Sequence, residues 1–464
     1  MCRDLGMRLL IRHGLAVSAS GAERADLLVE DGLIARVASS IDEPADRTID
    51  ASGLLVLPGG IDPHTHLDMP VGALTTTDDF ETGTRAAAIG GTTTIIDFAN
   101  PEPGQSLRDA VTRWRHKADG RAVIDYALHV SVPRVDPGVL DELDALAAQG
   151  MPSFKLFMAY PGRLMLDDGA IRGVLERTVH NGGLVMVHAE NGPLIARLAA
   201  EALEAGHRSV RFHAATRPPI AEAEAIRRAI SLAESAGARL YVVHVSTAEG
   251  VEAIAAARGR GRPVVGETCP HYLLLSDREY ERPGAEAAVY VMSPPLRPDG
   301  HQERLWRALA DGSLDVVATD HCPFDRRGSN GAPADFTRIP NGVPGIEHRL
   351  SLVYDAGVRS GRLSLPRFVE VTSTAAARVF GLYPRKGSLA PGTDADFVVF
   401  DPERRATISA ATHNMRVDNN PFEGREVTGA PRFVVSSGAV IVEEGAFVGP
   451  PGAGRFLARA PYGG

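Results

Sequence analysis

Short apolar runs recur along the middle of the chain and alternate with stretches of mixed polarity. Eight runs have the length of buried strands: Leu54–Ile61, Thr92–Phe98, Ile124–Val132, Ser153–Tyr160, Leu184–Glu190, Arg239–Ser246, Pro263–Cys269 and Asp315–Thr319. The stretches between them, such as Glu222–Ala236, carry apolar residues near helical spacing. Eight strand-then-helix units predict an α/β protein with a (β/α)8 TIM-like barrel.

The two ends of the chain have a different pattern, in which short strand-like segments are separated by turn residues. Leu27–Ala35 is an example near the N-terminus, and Ala395–Asp401 is one near the C-terminus. Neither end has enough strands for a stable core, so we expect both to form one small β-sandwich domain. The predicted limits are 1–57 and 388–448 for the two parts of the sandwich, 58–387 for the barrel and 449–464 for a C-terminal tail. We expect the tail to be an arm or poorly ordered.

Composition and charge exclude several classes of protein. The 464 residues are 44% hydrophobic, which supplies an ample core, and the formal net charge of -9 leaves no basic stripe for nucleic acid. No apolar segment is long enough for a membrane helix. Three cysteines (Cys2, Cys269 and Cys322) do not make a disulfide framework, and the first residues lack the apolar core of a signal peptide. We therefore expect a cytoplasmic protein that binds neither nucleic acid nor membrane.

The motif His64-Thr65-His66 is the first candidate for chemistry, because it follows the first apolar run. In a strand, residues i and i+2 point to the same side, so both imidazoles can face one divalent metal ion. Alone, the motif is weak evidence, since a strand-end histidine is more often a hydrogen-bonded core residue. However, His188, His244 and Asp320 end later strand-like runs. Because barrel strands end at one mouth, the pattern predicts a metal site there.

Lys155 lies inside the apolar segment Phe154–Met158, where an ammonium group is costly to bury. The chain has only three lysines (Lys117, Lys155 and Lys386) among 49 lysine and arginine residues, so arginine occupies nearly every ordinary cationic position. Unlike arginine, lysine can lose its proton on burial. Its carbamate, formed with carbon dioxide, carries a negative charge and two oxygens that can bridge two metal ions. We predict N6-carboxylysine at this position; the alternative is a strand-end lysine that reaches solvent.

Several longer motifs match one family in its order along nearly the whole chain. They are Pro58–Leu67, Phe154–Tyr160, Val187–Gly192, Glu267–Leu273, Met292–Arg297, Thr319–Phe324 and Ile339–Gly345. With these motifs the chain resembles the cyclic amidohydrolases, and within them the dihydropyrimidinase/hydantoinase branch. The resemblance implies a barrel with a small β-sandwich and a centre of two Zn²⁺ per chain, although Mn²⁺ or another divalent metal is an alternative.

The resemblance also implies roles for individual residues. The implied ligands are His64 and His66 for one metal, His188 and His244 for the other, carboxylated Lys155 as the bridge, and Asp320 as a ligand that also handles the proton. The Tyr160 hydroxyl is expected to face the reacting carbonyl, and Ser293 and Asn341 to bind the substrate ring through main-chain groups. In the implied reaction, a hydroxide that bridges the two metals opens the cyclic amide of dihydropyrimidines and/or 5-substituted hydantoins to give N-carbamoyl amino acids. The expected partner is therefore a small cyclic ureide, and we expect a homotetramer or a homodimer.

The chain departs from the family pattern in the segments that form a lid over the substrate's substituent. Val71 follows Met69-Pro70 where the family usually has a bulky aromatic residue, and Pro161–Leu164 replaces a basic residue and a later aromatic one. The expected lid residues are all apolar: Leu67, Met69, Val71, Phe157 and Leu164. An apolar lid disfavours a charged substituent.

Three alternative functions remain at this stage. An allantoinase or a dihydroorotase would share the barrel and the metal ligands, but a dihydroorotase needs a cation for its acidic substrate, and Arg297 is the one candidate. A non-catalytic scaffold of the collapsin response mediator type would have lost metal ligands, whereas every ligand position here is intact. His129, His271 and His321 lie near strand ends without matching ligand positions, so we expect them to have supporting or core roles.

Overall fold

The computed structural model describes residues 7–326 and 334–462. The strands are β1 (Leu9–Ser18), β2 (Gly21–Glu30), β3 (Leu33–Ala38), β4 (Arg47–Asp50), β5 (Leu55–Pro58), β6 (Gly60–Thr65), β7 (Pro70–Val71), β8 (Leu74–Thr75), β9 (Thr92–Ala99), β10 (Asp125–Ser131), β11 (Ser153–Phe157), β12 (Leu184–His188), β13 (Leu240–Val242), β14 (Val264–Thr268), β15 (Val316–Val317), β16 (Phe397–Thr407), β17 (Glu426–Ser436), β18 (Ala439–Glu443) and β19 (Ala446–Phe447).

The helices mostly lie between successive barrel strands. They are α1 (Phe80–Ile89), α2 (Leu107–Ala118), α3 (Pro137–Ala148), α4 (Asp168–Asn181), α5 (Gly192–Glu204), α6 (Arg211–Ala215), α7 (Pro219–Ala236), α8 (Ala248–Gly259), α9 (Pro270–Leu274), α10 (Ala285–Ala288), α11 (His301–Asp311), α12 (Arg349–Val353), α13 (Leu365–Val369) and α14 (Ala375–Val379). Among the described residues, none of these helices combines the length and the apolar character needed to span a bilayer.

Eight parallel strands form the barrel sheet in the order β15-β14-β13-β12-β11-β10-β9-β6. The sheet is nearly closed, because His321, just after β15, makes a parallel bridge to Thr65 at the end of β6. Each predicted apolar run contributes one barrel strand, and the predicted fold class is confirmed. Alternate side chains of these strands fill the interior, including those of Phe98, Met186 and Tyr241.

The first apolar run was predicted as one strand, and this detail is wrong. Leu55–Pro58 pairs with strands of the other sheet, and the barrel strand begins only at Gly60. At the crossing point between the sheets, a Cβ on Gly59 would lie 2.1 Å from Thr93 Oγ1, so only glycine fits there. The continuous apolar pattern hid the crossing because both strands are buried on both faces.

A nine-stranded sheet forms the second, strand-rich domain from both ends of the chain. β5 connects them, since it pairs in parallel with β1 and antiparallel with β16. The domain has a hydrophobic core of its own, which includes Leu27, Val29, Phe397 and Val399. The predicted joining of the two ends is therefore confirmed as a sheet-rich extra domain. Of the cysteines, Cys269 and Cys322 are buried free thiols, and Cys2 lies outside the described residues.

Candidate metal centre and substrate site

The six residues expected to be metal ligands lie at the carboxyl-terminal mouth of the barrel. They are His64 in β6, His66 after it, Lys155 in β11, His188 at the end of β12, His244 after β13 and Asp320 after β15. One ligand atom from each of His64, His66 and Asp320 lies within 4.8 Å of the others. The ring centroid of His244 lies 5.5 Å from that of His64 and 4.7 Å from that of His188. The imidazoles therefore form one continuous cluster.

Asp320 is the carboxylate at the centre of this cluster. Its Oδ1 lies 3.0 Å from Nε2 of His66 and 3.2 Å from Nε2 of His64. Burial acts to raise the pKa of Asp320, but the two histidines outweigh it and hold the pKa well below its ordinary range. Asp320 is therefore ionised at neutral pH and can serve as a ligand or accept a proton.

Lys155 is buried in an aromatic setting. Its Nζ lies 5.2 Å from the ring centroid of Phe98 and 5.5 Å from that of Phe157. Burial lowers the pKa of Lys155 to about 8, although Asp320 and Glu267 act in the opposite direction. No carboxylate in residues 7–326 or 334–462 lies within ion-pair distance of Nζ. The ordinary explanation of a buried lysine, a salt bridge, therefore does not apply here.

Glu267, for which the sequence predicts no individual role, supports two of the histidines. Its Oε1 lies 2.7 Å from His64 Nδ1 and accepts a hydrogen bond from the His244 main-chain N–H at 3.0 Å, while Oε2 accepts one from the Tyr241 hydroxyl at 2.7 Å. A carboxylate on one imidazole nitrogen orients the ring and leaves Nε2 for a metal. The available signal was an acidic residue near the end of the apolar strand β14.

Glu190 supports His188 in a similar way, but through the other imidazole nitrogen. Its Oε2 lies 2.9 Å from His188 Nε2, and its other oxygen is buried without a hydrogen-bond partner among the described residues. The neighbouring Asn191 caps α5 through its side chain. The segment therefore shapes the turn after β12, and Glu190 also fixes the orientation of His188.

Three residues of the site have left-handed backbone conformations. The φ angles are 65° at Tyr160, 41° at His244 and 50° at Asp320. This region is unfavourable for residues other than glycine, at a cost of order 1 kcal/mol each, and such residues concentrate at functional sites. Sequence patterns do not reveal this strain, because aspartate and histidine adopt positive φ more often than most residues but do so at only a few positions, and tyrosine rarely does.

Tyr160, Ser293 and Asn341 come together beside the histidines. The ring centroid of Tyr160 lies 5.3 Å from that of His188, and the nearby Ser293 side chain acts to lower the pKa of the Tyr160 hydroxyl. Ser293 Oγ accepts a hydrogen bond from Asn341 Nδ2 at 3.0 Å. Burial, helped by Glu190, raises the pKa of Tyr160 above its ordinary value, so its hydroxyl stays protonated and can donate.

The expected lid residues occupy two segments of the chain, one around the β7–β8 hairpin and one after β11. Val71 pairs with Leu74 in the short β7–β8 hairpin, which is partly exposed like Met69 before it. Phe157 and Leu164 flank Tyr160: the rings of Phe157 and Tyr160 lie 6.1 Å apart, and Leu164 N–H donates to the Tyr160 carbonyl. Leu67 differs from the other four, because it is fully buried with its methyl groups toward Gly83 of α1. It lies in the core beneath the hairpin.

The residues fit divalent metal ions. Four imidazoles and one carboxylate are the ligand types that zinc prefers, and the buried Nδ1 atoms of His66 and His244 have no hydrogen-bond partner in the described part of the chain. A second carboxylate group, formed by Asp125, Asp394 and Asp396, is different, because the ammonium of Lys386 binds all three. That group is an internal salt-bridge cluster.

Comparison with known proteins agrees with this geometry. Residues 55–441 match the Amidohydrolase family, and the chain belongs to this family. It is 50% identical over 459 residues to the D-hydantoinase of Geobacillus stearothermophilus, covering 98% of each chain. It is 48% identical to the D-hydantoinase of Streptomyces coelicolor, covering 98% of this chain and 99% of that one. The crystal structure of dihydropyrimidinase from Brevibacillus agri matches with a TM-score of 0.97 at 48% identity, covering 99% of this chain and 100% of that one.

Within the family, the chain falls in the dihydropyrimidinase/D-hydantoinase branch, as its motifs predict. The prediction of a cyclic amidohydrolase is confirmed, and this function is favoured over an allantoinase, a dihydroorotase or a non-catalytic scaffold. Arg297 also argues against a dihydroorotase. Its buried guanidinium is bound by Glu222 at 2.8 Å and Ser246 at 2.9 Å, so it is not free to bind a substrate carboxylate.

Proposed function

We propose that this enzyme hydrolyses the cyclic amide bond of dihydropyrimidines and/or 5-substituted hydantoins to N-carbamoyl amino acids. The observation that carries the proposal is the position of Tyr160, Ser293 and Asn341 directly beside the histidine cluster. The groups that we assign to ring binding thus lie beside those that we assign to metal binding. The names of the relatives, D-hydantoinase and dihydropyrimidinase, support the same substrate class.

The proposed centre holds two Zn²⁺, or Mn²⁺ or another divalent metal in their place. His64 and His66 would hold one ion, His188 and His244 the other, and carboxylated Lys155 would bridge them with Asp320 as a further ligand. Bound divalent ions lower the pKa of a water molecule and polarise a carbonyl group. Lysine carboxylation is supported by the burial of Lys155 without a carboxylate partner within the described ranges.

The protein groups have distinct tasks in the proposed reaction. Asp320 accepts the proton of the attacking water and passes it to the leaving ring nitrogen. The protonated Tyr160 hydroxyl donates a hydrogen bond to the carbonyl oxygen as negative charge develops there. Ser293 and Asn341 hold the -NH-CO-NH- edge of the ring through main-chain groups, which orients the reacting carbonyl.

We propose that Met69, Val71, Phe157 and Leu164 face the substituent of the substrate and select it by size and polarity. Leu67 would contribute from below, by supporting the base of the hairpin. Because these side chains are apolar, a charged substituent would lose its hydration without compensation. We also propose a homotetramer or homodimer in the cytoplasm; the buried free thiols of Cys269 and Cys322 are in keeping with a reducing compartment.

A substrate panel tests the proposal. Turnover of dihydrouracil, hydantoin, 5-substituted hydantoins, allantoin and dihydroorotate should be measured with protein of known zinc content. We expect about two zinc ions per chain and hydrolysis of dihydrouracil or hydantoins well above that of the other two substrates. A preference for dihydroorotate or allantoin would contradict the proposed substrate class, and a protein without divalent metal would contradict the proposed centre.

A further inference from the structure

The last described part of the chain, residues 449–462, is an arm along the amino-terminal end of the barrel, opposite the metal centre. The arm pairs with the start of β10: Tyr126 N–H donates to the Arg455 carbonyl at 2.9 Å, and Leu457 N–H donates to the Tyr126 carbonyl at 2.7 Å. The Leu457 side chain is 1% exposed and joins the hydrophobic cluster of the barrel interior. The arm therefore closes the floor of the barrel.

Close main-chain contacts indicate that this path is specific. A Cβ on Gly454 of the arm would lie 1.9 Å from the Ile124 carbonyl oxygen, and a Cβ on Gly381 would lie 2.1 Å from the Ala460 carbonyl oxygen. Any side chain at either glycine would push the arm away, so both positions require glycine. Glycines on both surfaces thus permit the arm to dock at main-chain distance.

Arg459 extends from the arm into the barrel. Its side chain is buried, and its Nη2 donates to the Leu128 carbonyl at 2.6 Å and to Ser153 Oγ at 2.7 Å. No carboxylate within residues 7–326 and 334–462 forms an ion pair with it, and burial lowers its pKa to about 9. A buried guanidinium without a counter-ion is costly, so its presence calls for a specific role.

A directed chain of hydrogen bonds continues from Arg459 toward the centre. Ser153 Oγ lies 2.6 Å from His129 Nδ1, and His129 Nε2 lies 3.0 Å from the Pro63 carbonyl oxygen. Because a carbonyl oxygen only accepts, His129 carries its proton on Nε2 and its neutral ring accepts at Nδ1 from the Ser153 hydroxyl. Ser153 Oγ in turn accepts a hydrogen bond from Arg459. The direction of every hydrogen bond from Arg459 to Pro63 is therefore determined.

This series of hydrogen bonds reaches β6, which carries His64, and β11, which carries Lys155. Pro63 directly precedes His64 in β6, and Ser153 lies two residues before Lys155 in β11, on the same face of the strand. We propose that Arg459 is a positioning residue for the metal centre, acting through Ser153 and His129 on the backbone that holds His64 and Lys155. This inference rests on the proposed function, because it presumes that these residues hold metal.

The test compares two arginines of the same arm. Arg459→Met removes the donor to Ser153, whereas Arg455→Met removes a partly exposed side chain that bonds Ser437 and pairs with Asp125 but does not contact the chain to Pro63. Zinc affinity, measured by chelator competition, should fall about tenfold or more in Arg459→Met, as for other residues that orient ligands. Arg455→Met should stay within about twofold of the parent protein, even if both variants lower the melting temperature.

Ser153→Ala provides a second, milder interruption of the same chain. It should weaken zinc binding on its own, and the double variant with Arg459→Met should lose less than the product of the two single losses, because both interrupt one pathway. If Arg459→Met does not fold, Ser153→Ala and Arg455→Met are compared instead. A greater loss of zinc affinity in Ser153→Ala than in Arg455→Met supports the inference, and equal zinc affinities contradict it.

Equal zinc affinity in Arg459→Met and Arg455→Met would overturn the inference, as would fully multiplicative losses in the double variant. These results leave the proposed function untouched when the parent protein still binds zinc and opens cyclic ureides. A parent protein that binds no divalent metal overturns the proposed function, and this inference with it. The two failures are therefore distinguishable.

Discussion

Lys155 and Lys386 show how the same side chain acquires opposite properties from its neighbours. Three carboxylates contact the buried Lys386 and raise its pKa, whereas Lys155 is buried near aromatic rings and its pKa falls to about 8. A lysine with a lowered pKa has an appreciable fraction of free amine near neutral pH. Lys155 can therefore undergo the proposed carboxylation, whereas Lys386 stays protonated and cannot.

Replacement of Lys155 by alanine should abolish turnover and reduce metal content below two ions per chain. Imidazole ligands bring no negative charge, so without the carbamate Asp320 alone would offset the charge of two adjacent dications. Short-chain carboxylic acids should restore part of the activity by taking the place of the carbamate. Metal analysis and activity with and without such acids check this, and two bound metals with normal rates in their absence would contradict the bridge.

Asp320→Asn should fold normally and lose hydrolysis by at least about a hundredfold, the lower range of a general acid-base contribution. The amide oxygen can still approach a metal, but the side chain cannot accept and return a proton. Single-turnover rates should be compared with metal content, so that a loss of proton transfer is separated from a loss of metal. A kcat close to that of the parent protein would remove Asp320 from the mechanism.

The ligands could be predicted from the sequence because each stands at the end of an apolar strand, and the barrel brings strand ends together. The residues that support them could not be predicted in the same way. Glu267, for example, contacts His64 across 203 positions of sequence, and the left-handed φ of His244 depends on packing around it. Such features follow from tertiary contacts, which local patterns do not encode.

At the scale of elements, the β7–β8 hairpin is a small unit that differs from its surroundings. It is a two-stranded sheet of its own, separate from the barrel, and its turn lies at Gly72, which has a φ of 62°. A short hairpin without a hydrophobic core of its own is only marginally stable by itself. The residues expected to be metal ligands, by contrast, stand on or beside the barrel strands.

Val71→Phe should lower kcat/KM for hydantoins with large 5-substituents more than for dihydrouracil. The added ring should occupy space that a large substituent needs. Each buried methylene that is displaced costs about 0.8 kcal/mol, so the loss of a few contacts changes the ratio of kcat/KM between the two substrates tenfold. Ala73→Phe at the exposed turn is the matched control and should leave the ratio unchanged. Equal losses for both substrates in Val71→Phe would show that Val71 does not face the substituent.

The loop after Ile346 is held to a distant segment by Glu347, and this contact should depend on pH. Burial raises the pKa of Glu347 to about 7, although the carboxylate accepts hydrogen bonds from the Asn414 main-chain N–H at 2.6 Å and Nδ2 at 3.0 Å. The folded state thus binds more protons than the unfolded state between about pH 4.5 and 7. Stability from this group is present at low pH and is lost as the pH rises through that window.

Glu347→Gln should remove this pH dependence, because glutamine carries no titrating charge, although its amide nitrogen cannot accept the second hydrogen bond from Asn414. Between pH 5 and pH 8 we expect the stability of the variant relative to the parent protein to rise by up to about 3 kcal/mol. Urea denaturation across this pH range gives the free energy of unfolding of both proteins. The other titrating groups contribute equally to both, so they cancel when the two values are subtracted. Parallel stability profiles would contradict the assigned pKa shift.

At the scale of the whole molecule, Lys386 connects the two domains. Its ammonium binds Asp125 at the start of a barrel strand and Asp394 and Asp396 next to β16. The general architecture could be predicted from the sequence because strand and helix periodicities alternate so regularly. This junction could not be, because an isolated lysine in a connecting segment gives no sign of three distant carboxylates.

Lys386→Met should destabilise the protein by about 3–5 kcal/mol, since it leaves three buried carboxylates without their cation. Lys117→Met is the control: its ammonium pairs with Asp68 at 3.4 Å and is 21% exposed, so the loss should stay near 1 kcal/mol. Chemical denaturation of the two variants gives the comparison. Similar losses would show that the junction contributes little to stability.

The strand-rich domain also has a consequence for synthesis on the ribosome. β5 lies between β1 and β16, and β16 begins only at Phe397, so the first strands are made long before their neighbour exists. Until then, β5 presents an open apolar edge, which is prone to wrong pairing with other chains. The barrel segment and the pairing among β1–β5 can form in the meantime, whereas the remaining edge of β5 stays open until β16 has been made. The yield of folded protein should therefore depend on translation speed and chaperone supply, even though the finished enzyme is stable.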